Sequence, residues 1–178
     1  MNRRRTGFTL VEMLTTVAGL VIVLGVMVAL SRHVRSASAE DVTKDLLRQL
    51  DLAMARYISQ CNGGVPPNIP FIPQGVTADQ SDFAMKAEKN SRAVVVLLQS
   101  NHVFPTTQFA DVPIAYFDGS VVRDAWGSPI VFLPKMNPAI GMAAKGWFFF
   151  SAGPDRRYTT KTDNLYSYEL PGLDSAGD

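Results

Sequence analysis

The chain has 178 residues, with 17 basic and 16 acidic side chains, two histidines and one cysteine, for a formal charge of +1. That length suits one apolar anchor and one globular domain of about 100 residues with a modest core. The charge balance excludes the electrostatic footprint of a nucleic-acid binder, and the single cysteine, Cys61, excludes an intramolecular disulfide.

At the N-terminus Arg3-Arg4-Arg5 precede Thr6-Gly7-Phe8-Thr9-Leu10-Val11-Glu12, and Glu12 is the only charged side chain between Arg5 and Arg32. From Met13 to Ser31 no side chain is charged; at ~1.5 Å per residue that run crosses most of a bilayer core of ~30 Å. The segment is predicted to span a membrane, and a carboxylate at mid-membrane depth costs on the order of 2.5–3.5 kcal/mol, so Glu12 asks for a partner. A cation created at Phe8 would supply one. A secretory signal carries its small-residue cleavage site after the apolar region, whereas Gly7 lies before it. Arginines before the span, against Arg32 and Arg35 soon joined by Glu40 and Asp41 after it, give a mild bias toward a cytoplasmic N-terminus.

Beyond Ser31, Val42, Leu46, Leu50, Ala53, Tyr57 and Cys61 recur at steps of three and four, with Asp41, Lys44, Asp45, Arg48 and Asp51 mostly on other faces. The helix is expected to run unbroken from Phe8 to about Cys61, a rod of roughly 80 Å. In this reading Cys61 is a small apolar residue on the helix face with no reactive chemistry; His33 and His102 offer it no local partner. Asn62-Gly63-Gly64 and then Pro66-Pro67 stop the helix, and Val65 to Asp82 reads as an extended surface loop. The run Arg92 to Gln99 is ambiguous between strand and short helix, and in either form it is expected to pack into the core. Pro129 to Leu133, Trp147 to Ser151 and Leu165 to Glu169 are predicted strands that pack on the outer half of the long helix as an α+β head.

In the turn Asp124-Ala125-Trp126-Gly127-Ser128-Pro129, Gly127 permits a tight bend, Pro129 fixes the exit and Trp126 is expected to cover the core. The loop from Ser151 to Ser167 carries Asp155 and Asp163 together with Arg156, Arg157 and Lys161. It reads either as a site for a hard cation, which takes six to eight oxygens, or as a polar turn capped by aspartate with an internal Arg–Asp pair. No nucleotide-binding glycine motif, zinc spacing or nucleophile elbow occurs.

Gly7-Phe8-Thr9-Leu10-Val11-Glu12, placed between an arginine cluster and an apolar span, resembles the leader and anchor of type IV pilins and type II secretion pseudopilins. The resemblance implies cleavage between Gly7 and Phe8 by a prepilin peptidase on the cytoplasmic face, methylation of the new Phe8 amine, and assembly through Glu12. Loss of Arg3, Arg4 and Arg5 leaves 14 basic against 16 acidic side chains. The implied fold is pilin-like, a long N-terminal helix packed on a small antiparallel sheet. Its implied divisions are a leader (1–7), a transmembrane segment (8–31), an amphipathic continuation (32–62), a periplasmic head (63–170) and a polar tail (171–178). The family also favours a short helix at 92–99.

The turn at Asp124 is similar to the Asp-Pro-Trp-Gly-x-Pro turn of major pseudopilins, with Ala125 where that pattern has proline. The following loop resembles the one in which those proteins hold calcium, which implies Asp155 and Asp163 as ligands; it is poorer in acid and glycine than the family's usual form, and its basic side chains oppose a cation. The implied role is that of a structural subunit of a type II secretion pseudopilus, without an active site. Its partners would be other copies of itself, the prepilin peptidase, an inner-membrane assembly platform, minor pseudopilins and, before assembly, membrane lipid, with no nucleic acid. A type IV pilin or competence pseudopilin shares leader and helix but more typically shows paired cysteines or a basic face. A membrane-anchored enzyme or binding protein is the alternative of another class, and it leaves Glu12 unexplained.

Overall fold

Among the described residues, two helices, a three-stranded antiparallel sheet of order β1-β2-β3 and a short 3-10 turn make an α+β structure. The computed structural model describes residues 9–66, 69, 80–100, 112–138 and 140–170. α1 spans Leu10–Gln60, α2 Gln80–Ser100, β1 Val131–Leu133, β2 Phe148–Ser151 and β3 Leu165–Tyr166, and the 3-10 turn covers Ser167–Glu169. The chain divides into two units between Ser38 and Ala39.

In the first unit, α1 is apolar on every side and buries none of it: Leu14, Leu20, Val26 and Leu30 are all more than half exposed. An 18-residue stretch of α1 has a mean hydropathy of 2.5, long and apolar enough to cross a membrane.

In the second unit α1 turns amphipathic, as its spacing predicts. Leu46, Leu50, Ala53 and Tyr57 are buried, joined by Leu47 and Met54 one position along, so the buried stripe is wider than the three-and-four pattern shows. Asp51 is a correction: it lies inside the stripe, four residues after Leu47 and three before Met54, and is buried rather than on a polar face. The helix stops where expected. Asn62 takes a left-handed φ of 54°, and the Gly63 N–H reaches back to the Ile58 carbonyl at 2.9 Å, a closure that satisfies an orphan carbonyl of the last turn. Cys61 is a second correction: it falls one residue past the helix and is exposed, because the stripe ends at Tyr57.

The run at 92–99 is helical but not short. It is the C-terminal part of the 21-residue α2, which begins at Gln80 inside the predicted surface loop. α2 buries Phe83, Ala87, Val94, Val95 and Leu98, and between them Asn90 and Ser91. These two polar side chains stand in for a fourth strand. The Asn90 amide donates to the Phe132 carbonyl at 3.0 Å and accepts the Phe132 N–H at 2.7 Å, so β1 has its outer main-chain groups paired by a helix side chain. Ser91 does the same for Val122, donating to its carbonyl and accepting its N–H.

β1 and β2 pair Val131 with Phe150, Phe132 with Phe149 and Leu133 with Phe148. Alternation sends Phe132 and Phe149, with Trp147, into one core beside Leu46, Leu50 and Met54 of α1. Val131, Leu133, Phe148 and Phe150 enter a second core with Phe83, Ala87, Tyr158 and Tyr166. A sheet covered on both faces needs apolar residues at successive positions, which is why these strands read as unbroken apolar runs. The third strand is shorter than predicted. Its pairing ends at Tyr166, and the Ser167 hydroxyl, rather than a main-chain carbonyl, accepts the Phe149 N–H at 3.1 Å.

Candidate functional site

Three places carry the residues singled out in the sequence. Gly7 and Phe8 lie outside the described residues. Glu12 is on the first turn of α1, among Leu10, Val11, Met13 and Leu14, which are 57–83 % exposed. Its carboxylate has no partner among the described residues. Its main chain, however, is tied down: the Glu12 N–H donates to the Thr9 hydroxyl at 3.3 Å, and the Thr15 and Thr16 hydroxyls both donate to the Glu12 carbonyl at 3.0 Å. Thr9 thus caps the first turn through the Glu12 N–H, a bond that makes no use of the Glu12 carboxylate. The threonine hydroxyls turned onto the helix's own carbonyls leave few polar groups for an apolar solvent to meet.

The turn at Asp124 is built around one buried carboxylate. Asp124 Oδ1 accepts the N–H groups of Trp126 at 3.0 Å and Ser128 at 2.8 Å, while Oδ2 accepts the Ser151 hydroxyl at 2.6 Å. Ser151 in turn accepts the Gly153 N–H at 3.0 Å. The turn is also fastened to α1, since Thr43 accepts the Ala125 N–H at 3.1 Å while donating to the Ala39 carbonyl. Burial pushes the Asp124 carboxyl above the usual carboxylate range, against the opposing pull of Ser151, the Ser128 and Trp126 N–H groups and the Arg156 charge. Tyr158 donates to the Pro129 carbonyl at 2.7 Å, and burial, with the Asp124 charge adding to it, holds its phenol far above the usual range. Gly127 has the positive φ, 89°, that the bend needs. Trp126 is a correction: it is only half buried, and the tryptophan of the core is Trp147.

Asp155 and Asp163 sit in the loop that follows. Asp155 Oδ1 accepts the Arg157 N–H at 2.7 Å, an aspartate turn, and Arg156 between them is held at a left-handed φ of 59°. The loop doubles back at Gly153, whose φ is 68° and where a β-carbon would lie 1.9 Å from the Asp163 carbonyl oxygen. Asn164, next in line, donates to the Tyr158 carbonyl and leaves its own Oδ1 buried without a partner. Lys161 donates to the Pro138 carbonyl. Among the described residues no group of three or more His, Cys, Asp and Glu is placed to hold a metal ion.

Sequence reasoning missed the Lys145 contact. Lys145 pairs with buried Asp51 at 2.5 Å and stands 4.1 Å above the Trp147 ring. The pairing closes over the α1 face of the core, and no spacing announces it, because the two residues lie 94 apart. Compared with family models, with curated proteins and with solved structures, the chain finds no match.

Proposed function

We propose that this chain is a membrane-anchored structural subunit that polymerises into a filament of the type II secretion pseudopilus kind. The observation that carries the reading is Glu12, a lone carboxylate without a partner among the described residues, on a helix whose other side chains around it are apolar and exposed, four residues after the Gly7-Phe8 junction. In one helix that spacing sets Glu12 on the face of a freed Phe8 amine, and the same carboxylate can reach the amine of a neighbouring copy. The prepilin peptidase then acts at Gly7 from the cytoplasmic side, Phe8 is methylated, and the head stands in the periplasm. Assembly draws on other copies, minor subunits and an inner-membrane platform, and the chain does mechanical rather than catalytic work. In the same reading Asp155 and Asp163 take a calcium ion, weakly, since Arg157 and Lys161 flank them and the side-chain oxygens fall short of the six to eight that calcium takes.

Mass spectrometry of membrane-extracted protein tests the reading. Wild type should start at methylated Phe8, and a Gly7→Val precursor should stay at full length and out of sheared filaments. An intact leader on protein recovered from filaments would overturn it.

A further inference from the structure

One face of α2, running Lys89, Arg92, Ala93, Val96 and Leu97 at steps of three and four, lines a groove of about 560 Å³ whose other side includes Tyr57 and Ile69. That volume is within the range of small-molecule pockets. The groove has two unlike ends. Its floor is apolar: Tyr57 and Ile69 belong to the core, Leu97 packs against it, and Val96 is left 57 % exposed. Back along α2 toward its N-terminus stand two cations. Arg92 holds Glu88 at 3.2 Å, but those side chains are 55 % and 43 % exposed, and a pair in that setting exchanges readily for another anion. Lys89 makes no ion pair with a described residue.

A wholly apolar ligand would leave Lys89 and Arg92 unused, and a small hydrophilic anion would leave Val96 in water. We propose that the groove binds an alkyl chain bearing a single carboxylate, a medium-chain fatty acid, with its head on Lys89 and Arg92 and its chain laid over Ala93 and Val96 against Tyr57. From Lys89 to Leu97 the helix advances roughly 12 Å at ~1.5 Å per residue, which a chain of about ten carbons covers. This binding does not depend on polymerisation.

The experiment uses the full chain in nanodiscs of zwitterionic lipid, labelled at Cys61 with an environment-sensitive dye. Cys61 is the single cysteine and is exposed, and its N–H donates to the carbonyl of Tyr57, which lines the groove, so the dye reports on the groove and not on the apolar N-terminal stretch. Decanoate should change the emission saturably and bind more tightly than octanoate by about fourfold per methylene. Decylamine, with the charge reversed, should bind at least about tenfold more weakly. Val96→Asp and the Lys89→Glu, Arg92→Glu pair should each weaken decanoate by about tenfold or more; these side chains are exposed, and circular dichroism checks that the helices persist. Equal binding of decylamine and decanoate, or an unchanged titration in Val96→Asp, would mean partition into lipid and overturn the proposal.

Discussion

Glu12 and Asp124 are both carboxylates beside apolar residues, and they are treated in opposite ways. Asp124 is enclosed by this chain alone: two backbone N–H groups and the Ser151 hydroxyl meet its oxygens, and Thr43 locks its turn to α1. Around Glu12 the described residues supply only a cap on the main chain, and Leu10, Val11 and Leu14 are exposed. The head is therefore explained from within, residue against residue. The N-terminal stretch buries none of its apolar surface within the chain, and the proposed reading gives it an apolar medium and a partner for one negative charge.

The largest effect expected from breaking this contrast comes at Glu12. Glu12→Leu should be cleaved normally and yet fail to enter filaments, read as leader cleavage by mass beside filament yield by shearing and sedimentation. Glu12→Gln sharpens the test: it keeps the size and polarity of the side chain but not its charge, so intersubunit pairing requires it to fail as Leu does. Wild-type yield in either variant would mean that intersubunit charge pairing is not what Glu12 is for.

In the head, the most damaging single change should be Gly153→Ala. Left-handed backbone and a β-carbon pressed on the Asp163 carbonyl should together cost on the order of 3 kcal/mol or more, seen as a lowered urea midpoint, with the N-terminus still processed. A midpoint within error of wild type would mean that the loop opens freely.

Asp124→Asn should be milder, about 1–2 kcal/mol, and its sign should depend on pH. Burial raises the folded-state pKa of Asp124 above its unfolded value. Below the unfolded value both states hold the proton and the carboxyl carries no charge penalty; the penalty grows as pH rises and is complete above the folded value. Wild type should accordingly gain on Asp124→Asn as pH falls from neutrality, in urea midpoints taken at several pH values. A constant difference would mean that folding leaves the carboxyl unshifted, and a loss of wild type on acidification would place the charged form, with its three donors, as the favoured one. The smallest effect is expected from calcium: a slight rise in melting temperature over chelator, absent in the Asp155→Ala, Asp163→Ala variant.

The long helix and the paired apolar strands were legible because one physical cause acts along each of them: a solvent boundary sets the three-and-four stripe of α1, and burial on both faces sets the runs at 129–133 and 147–151. α2 was only half legible. Phe83, Ala87, Val94 and Leu98 keep helical spacing, but Asn90 and Ser91 interrupt the stripe with buried polar residues whose reason, the open main chain of Phe132 and Val122, lies elsewhere in the fold. Asp51 was misplaced for the same cause, its partner Lys145 being remote in sequence. Of the site residues, Glu12 stands out by charge alone, whereas the Ser151 bridge to Asp124, a side-chain pair 27 residues apart, becomes visible only in the folded chain.

Asn90 has one more consequence. A strand at the margin of a sheet offers a row of amides on which another chain can extend the ladder, and subunits stored at high density before assembly would be exposed to that reaction. With the Phe132 amide and carbonyl already taken by Asn90, the β1 margin has lost its template at the centre of a three-residue strand. A second copy approaching along this side would find no open amide or carbonyl at Phe132 on which to extend the sheet.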